Sequence, residues 1–588
     1  MTQTPLQPLP RDYQLKRNLL LLACFLTLFL FLGLTLFNTR GEPREAVVAL
    51  SMLKEGNWVL PINNGVDLAY KPPFFHWLAA LCSLPFGTVT EYTSRLPSAL
   101  ALTVMVMAGF RFYARRTSSA TALLMGLLTL TSFEVHRAGV ACRVDMVLTC
   151  MMVLSLYALY CWAERGLRGV PWAAVLCLSG AFLSKGPVGL ALPCLVAAVF
   201  GWMRGMGFWR VTLRISLMGI LALVLPAAWY VAAWQQGGDR FLHLIYEENV
   251  LRLLGKMTYE SHVNPWTYNV LTIITGMLPY TLLGLLALPV LRWRKPACWH
   301  PSAWWGQLKK KLREMDTVRL FTLLSLVIVF AFYCIPKSKR SVYLLPVYPF
   351  ICFYVAEAVQ WLADRKPRII SAFNGVLGVL AGVLTLAFIA VRCHLVPDTV
   401  MGSGSHAVQN VAMLHALSDT PLGLLQLVAV SMPVVVLIAA LYVRKHPGLA
   451  APRMRPLLMA AQVASIFFAL DGAYQPLVLN VKSDKPVAEY INSLQPEGRI
   501  YSFRTDVVEG NAMHPFTVNF YLGDRVMPFE AANPREGLLI VGNDEVTEFA
   551  RRHPALNVQL VKDFRHTSCD DHKQLKLYRF TPKPTAQP

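Results

Sequence analysis

Six short stretches set carboxylates and cations at the ends of long apolar runs. They are Gly41-Glu42-Pro43-Arg44-Glu45, Tyr70-Lys71-Pro72-Pro73, Arg143-Val144-Asp145, Lys185-Gly186-Pro187, the segment around Arg252, and Lys337-Ser338-Lys339-Arg340 with Tyr343 just beyond. Cations at such positions that the membrane topology does not call for are candidates for holding an anionic group. Their types suit one chemistry. Ammonium and guanidinium groups hold phosphate oxygens through charge-assisted hydrogen bonds. A carboxylate takes the proton of an attacking hydroxyl, or orients it. Glu42 is the first candidate for that carboxylate and Asp145 the second, with a helix N-cap as the alternative for Asp145. Arg44, Lys71, Arg143, Arg252, Lys337, Lys339 and Arg340 are the candidates for holding an anionic substrate. His262, in "ESHVNPWTY", and Tyr343 stand close by in sequence. The competing readings are snorkelling of the cations to headgroups, a structural hydrogen bond for His262 and an interfacial-belt role for Tyr343.

The elements that must position these groups are membrane spans. Of the 588 residues 55% are hydrophobic and only 15% charged, well below the quarter or so of a soluble chain. Apolar runs fall at about 18–37, 96–113, 118–133, 146–163, 170–184, 188–203, 212–234, 268–291, 318–336, 341–363, 369–391, 421–443 and 455–471. The sequence therefore predicts an all-α polytopic membrane protein of about thirteen spans. Residues 73–87 suit an interfacial helix, as does the amphipathic stretch from Ala46 to Lys54. The first run is too long for a signal peptide core and is expected to be an uncleaved anchor with a cytoplasmic N-terminus. The net charge of +21 lies mostly in alternate gaps between runs, as the positive-inside rule requires, and this argues against nucleic acid as a partner. Lys71, Arg137, Arg143, Lys185, Arg252 and Lys337 to Arg340 fall in the opposite gaps, which makes them candidates for binding an anion at the outer face.

Residues 472–588 are soluble in composition and are expected to form a small extracytoplasmic α/β domain after a transmembrane domain over 1–471. Expected strands are "GRIYSFRT", "FTVNFYLG", "GLLIVGND", "NVQLVKDF" and "LKLYRF"; expected helices are "DKPVAEYINSLQ" and "EVTEFARRH". No phosphate-binding glycine loop accompanies them. Among the twelve cysteines no C-x-x-C occurs. Cys393 and Cys569 either pair outside the cytoplasm or are unrelated thiols.

Glu-x-Arg after the first run, "YKPPFFHW", "RLPSAL", R-x-D at the fourth run, "SKGPVG" and "KSKRSVYLLP" together resemble the aminoarabinose-lipid A transferases and protein O-mannosyltransferases of the glycosyltransferase C superfamily, in its bacterial branch. The resemblance covers most of residues 16–350. It implies the glycosyltransferase C fold, an outer-face active site, and transfer of a sugar from a polyprenyl-phosphate-linked donor to an envelope acceptor. That acceptor is lipid A or lipopolysaccharide, another glycan or a protein. The leaving phosphate would be neutralised by the cations named above. The implied location is the bacterial inner membrane, as a monomer among membrane lipids. No cofactor is required, and a divalent cation is compatible with the outer loops. Two positions depart from the family. Where it has Asp-Glu this chain has Gly41-Glu42, which moves the expected base to Glu42. Where some members place a metal-binding Glu, this chain has Tyr70. The alternative function is a transporter or flippase of a lipid-linked glycan, which would show internal repeats and interrupted helices.

Overall fold

The computed structural model describes residues 11–251, 263–290, 301–404, 407–446, 454–504 and 515–583. All thirteen apolar runs are helical at least in part. Among the described residues, eight helices are long and apolar enough to cross a membrane. A ninth candidate is bent by 99° between Thr267–Gly276 and Tyr280–Val290. The remaining runs form shorter helices: α1 (Tyr13–Leu28), α5 (Ser119–Leu130), α8 (Trp172–Lys185) and α9 (Val188–Met203).

The helices that carry candidate site residues start and stop for local reasons. Pro43 opens α2 (Pro43–Glu55), where its missing N–H costs nothing. The stretch expected at an interface is largely buried, between α3 (Phe74–Ser83) and the helix Phe516–Tyr521. A reciprocal Thr90–Thr93 capping box starts α4 (Glu91–Ala114). A short helix, α6 (Phe133–Gly139), precedes α7 (Val144–Glu164). The cap of α7 is Arg143, so the N-cap reading of Asp145 does not hold; Asp145 lies inside the first turn. Gly186, with φ +82°, ends α8 and leaves Lys185 at its last residue, where the helix dipole favours a cation.

The core is built around α7, whose most apolar window is 78% buried. The helices Pro367–Arg392 and Leu424–Lys445 bury only 22% and 17% of theirs. Their backbone groups are satisfied within the helix, so these apolar faces suit lipid.

The last apolar helical stretch continues through a π-turn to Lys482. A five-stranded mixed sheet follows, in the order β4 (Val526–Pro528), β3 (Ile500–Ser502), β5 (Gly537–Gly542), β7 (Gln574–Pro582), β6 (Leu556–Thr567). The β4-β3-β5 ladder is parallel and the β5-β7-β6 ladder antiparallel. "FTVNFYLG" is a helix, Phe516–Tyr521, rather than the expected strand. Its apolar residues alternate because both sides are covered: Val518 faces the sheet while Phe520 meets Phe37, in the loop after α1, edge to face. Asp570 ties down its first turn, accepting from Thr517 N and Oγ1 at 2.8 Å each. Cys393 and Cys569 are both free thiols.

Candidate active site

The N-termini of α2, α4 and α7 and the C-terminus of α8 lie at one end of the bundle, and their charged residues form three linked groups. In the first, Glu42 is gripped from both sides. Arg95 donates from Nε to Oε1 at 2.8 Å and from Nη2 to Oε2 at 2.9 Å, and Cys142 N donates to Oε1 at 2.8 Å. Burial opposes ionisation of Glu42, but the Arg95 pair and the Cys142 amide outweigh it and hold the carboxyl below its ordinary range. A Cβ on Gly41 would stand 2.5 Å from Arg143 Nη2, so Arg143 fills the space that a side chain at position 41 would need.

The second group surrounds Glu45, which is buried one turn into α2. Its Oε1 accepts from Arg44 at 2.9 Å and from Lys71 Nζ at 3.0 Å; Oε2 lies 3.0 Å from His76 Nε2. Burial again opposes the charge, and Lys71 and Arg44 overcome it, so the carboxyl sits well below its usual range. Glu248 also acts on both Arg44 and Lys71, so two cations here stand against two carboxylates. Tyr70 donates to Glu248 at 3.2 Å. A phenol there does not replace the carboxylate of the family's metal set, so the residues present do not fit that ion.

The third group joins residues roughly 40 and 200 positions apart in the sequence. Lys185 Nζ bonds Asp145 Oδ1 and lies 4.3 Å above the Tyr343 ring, which stands 5.7 Å from the Tyr333 ring. This cation–π contact holds the ammonium between the carboxylate and the ring.

The Lys337–Arg340 turn does not act as one cluster. Its Ser338 pairs with Val263 in an isolated bridge. Lys337 is exposed, Arg340 is half-buried, and Lys339 is buried with its ammonium on Pro336 O of the same turn. Arg252 and His262 lie outside the described residues. Sequence reasoning missed Glu45, His76 and Arg95 as site members. Arg95 left a signal, a lone guanidinium inside the apolar start of "RLPSAL".

A cavity of about 240 Å³ opens beside the first group. Leu28, Phe31 and Leu32 of α1 and the turn after it give it an apolar wall; Glu42, Arg95, Arg137 and Arg143 give it a charged one. Arg137 is itself paired bidentately with Glu134.

A helical bundle of this length that gathers buried carboxylate–cation groups at one end, beside a small mixed sheet, has the architecture of a membrane glycosyltransferase. Residues 70–231 match the family model of dolichyl-phosphate-mannose-protein mannosyltransferases. The chain is 30% identical over 392 residues to an undecaprenyl phosphate-α-4-amino-4-deoxy-L-arabinose arabinosyl transferase of Pseudomonas savastanoi pv. phaseolicola, covering 63% of this chain and 67% of the relative. It is 29% identical over 361 residues to a transferase of the same description from Pseudomonas fluorescens, covering 59% and 60%. The crystal structure of ArnT from Cupriavidus metallidurans bound to undecaprenyl phosphate superposes with a TM-score of 0.68 over 97% of this chain and 98% of that one, at 19% identity, which shows a common fold. The chain belongs to the bacterial aminoarabinose-transferase family of the glycosyltransferase C superfamily.

Proposed function

We propose that the protein transfers a sugar from an undecaprenyl-phosphate-linked donor to an envelope acceptor at the outer face of the inner membrane. The relatives' names make 4-amino-4-deoxy-L-arabinose the leading candidate sugar. The observation that carries the reading is the group Asp145–Lys185–Tyr343, a buried carboxylate and a cation brought together from distant spans. Departure of polyprenyl phosphate through an oxocarbenium-like transition state needs cations where charge develops, and Lys185, Arg340, Arg44 and Lys71 supply them. The acceptor oxygen needs a carboxylate to take its proton. Glu42 has both oxygens committed to Arg95 and Cys142, and its lowered pKa makes it a weak base. Asp145, with Lys185 on Oδ1, is the better candidate, and Glu42 keeps Arg95, Arg143 and the 142 turn in place. Purified protein given a short-chain donor and acceptor in detergent should release polyprenyl phosphate without any gradient. Intact donor after prolonged incubation would support a flippase instead.

The topology that fits this reading has thirteen crossings: the eight long helices, the bent pair, α1, α5, α8 and α9. It places the N-terminus in the cytoplasm and a C-terminal α/β domain, residues 472–588, outside. Cys393 is exposed in a loop that this topology puts outside, so an impermeant maleimide should label it in intact spheroplasts. Labelling only after lysis would rule this orientation out.

The cation turn separates by burial. Lys337→Ala should change donor KM less than about three-fold, as expected for an exposed charge. Arg340→Ala should raise donor KM about ten-fold or more, and Arg340→Lys should recover little of it if the guanidinium binds as a fork. Lys339→Ala should lower the unfolding temperature while leaving KM near wild type, because its ammonium is spent on its own turn. Steady-state kinetics in detergent, where headgroup anchoring does not matter, give all three values. Equal KM effects across the three would mean that the turn reorganises around the phosphate.

A further inference from the structure

We propose that Asp524, in the C-terminal unit, is a positioning residue for the active site: it clamps the loop after α1 at two points between Glu45 and Lys71, the stretch that joins the two halves of the Arg44–Glu45–Lys71–His76 group. The inference rests on the donor phosphate lying at that group. Asp524 is buried, with 5% of its surface exposed, and faces away from the sheet core onto the loop. Its Oδ2 accepts from Ser51 Oγ on α2 at 2.8 Å. Its Oδ1 accepts from Asn64 N, in the hairpin between β1 (Ile62–Asn63) and β2 (Asp67–Leu68), at 2.9 Å, and from Asn519 Nδ2 at 2.7 Å. Asn519 Nδ2 also reaches Asn64 Oδ1 at 2.6 Å, and its own Oδ1 accepts from Val526 N at 2.8 Å. Lys54 Nζ closes the arrangement on the carbonyls of Gly523 and Asp524, at 3.0 and 3.2 Å.

These contacts lie between the two halves of the group in the chain. Ser51 lies on α2 after Glu45, and Asn64 lies in the hairpin that leads to Lys71. Contact is close enough to require glycine at position 65, where a Cβ would meet Met527 Cγ at 2.7 Å. A second set of contacts holds the start of the loop. Leu36 N donates to Asn480 Oδ1 at 2.8 Å, Phe37 N to the Tyr521 hydroxyl at 3.2 Å, and Tyr521 in turn donates to Glu91 at 2.7 Å. Asp524 adopts φ +56°, a left-handed conformation that Asp enters more readily than most non-glycine residues. A unit merely displayed outside the membrane would need none of this; a unit that sets the distance between α2 and the Lys71 turn needs both grips.

Positioning and general stability give different kinetics. A fraction of unfolded enzyme lowers apparent kcat and leaves both KM values alone. Displacing Lys71 and Arg44 raises donor KM and spares acceptor KM. Asp524→Ala should lower donor kcat/KM about 100-fold, the cost of a displacement near 1 Å, with most of the loss in donor KM. Asp524→Asn keeps an acceptor for Asn64 N and should recover most of it. If the alanine variant does not fold, Ser51→Ala decides, since it removes only the Asp524 contact and a bond to Val47 O within the same helix, and should raise donor KM several-fold. Wild-type donor KM in Asp524→Ala, or in Ser51→Ala where the former is unfolded, would overturn the clamp. An inactive wild-type protein would instead overturn the transferase reading on which it rests.

Discussion

Asp145→Asn should lower turnover by about 10²–10⁴-fold, the usual cost of removing a positioned acid or base. The substitution keeps the shape of the side chain and leaves a carbonyl oxygen for Lys185, so the fold and the cation–π contact of Lys185 with Tyr343 are retained. Only the charge and the ability to take a proton are lost. Donor KM should therefore change little while kcat falls, the signature of an interaction made chiefly in the transition state. Lys185→Ala tests the other half of the pair. It removes a cation that neutralises the leaving phosphate and leaves Asp145 buried beside two tyrosine rings, so both kcat and donor KM should suffer. The double variant should be far less than additive, because the two side chains act as a unit. Polyprenyl phosphate released per minute, with donor and acceptor varied separately, provides these values. Turnover of Asp145→Asn within ten-fold of wild type would move the base elsewhere and make Asp145 a structural partner of Lys185.

The parts legible in the sequence were those that a one-dimensional pattern can hold. Apolar runs are set by length and composition, and every one of them is helical. Lys71, Arg143 and Lys185, cations on the wrong side of the charge bias, lie with buried carboxylates at one end of the bundle, and R-x-D with "SKGP" contained the Asp145–Lys185 pair, though not the contact between them. What escaped was pairing across the fold. Glu42 and Arg95 are 53 positions apart, Glu45 and His76 are 31 apart, and neither spacing has a helical or strand period. The Lys-Ser-Lys-Arg turn looked like one anion site because adjacent charges suggest a patch; an extended turn sends neighbouring side chains apart, so one is exposed and another buried. Alternation in "FTVNFYLG" suggested a strand for a related reason. A helix covered on two sides by different partners leaves no clean 3.6-residue stripe. The tail was assigned no part in the chemistry, since its link to the site runs through Asp524 and Asn519, two ordinary turn and helix residues.

Arg95→Ala should cost about 3–5 kcal/mol of stability at neutral pH, the range for breaking a buried pair and leaving one charge behind. Arg95 is 3% exposed and does two jobs. Its Nε and Nη2 hold Glu42, and its Nη1 donates to Leu32 O at 2.8 Å and Thr35 O at 2.7 Å, in the loop that follows α1. Arg95→Lys cannot make this fork and should recover only part of the loss. The pH dependence separates a charge effect from a packing effect. Glu42 has a folded pKa below its ordinary value of 4.5, so its contribution to stability is present above that value and is lost as pH falls through the lower, folded one. Without Arg95 the largest cause of the lowering is gone and only the Cys142 amide and Arg143 oppose burial, so the Glu42 carboxyl of the variant takes up its proton at higher pH than the wild type does. The gap between the two proteins should then narrow steadily as the pH is brought down from 7 toward 4. Denaturant unfolding of the detergent-solubilised protein at several pH values would show it. A gap that stays constant with pH would assign the loss to the carbonyls of Leu32 and Thr35 and not to the carboxylate. A gap under about 1 kcal/mol at pH 7 would mean that water or Arg143 takes over the charge of Glu42.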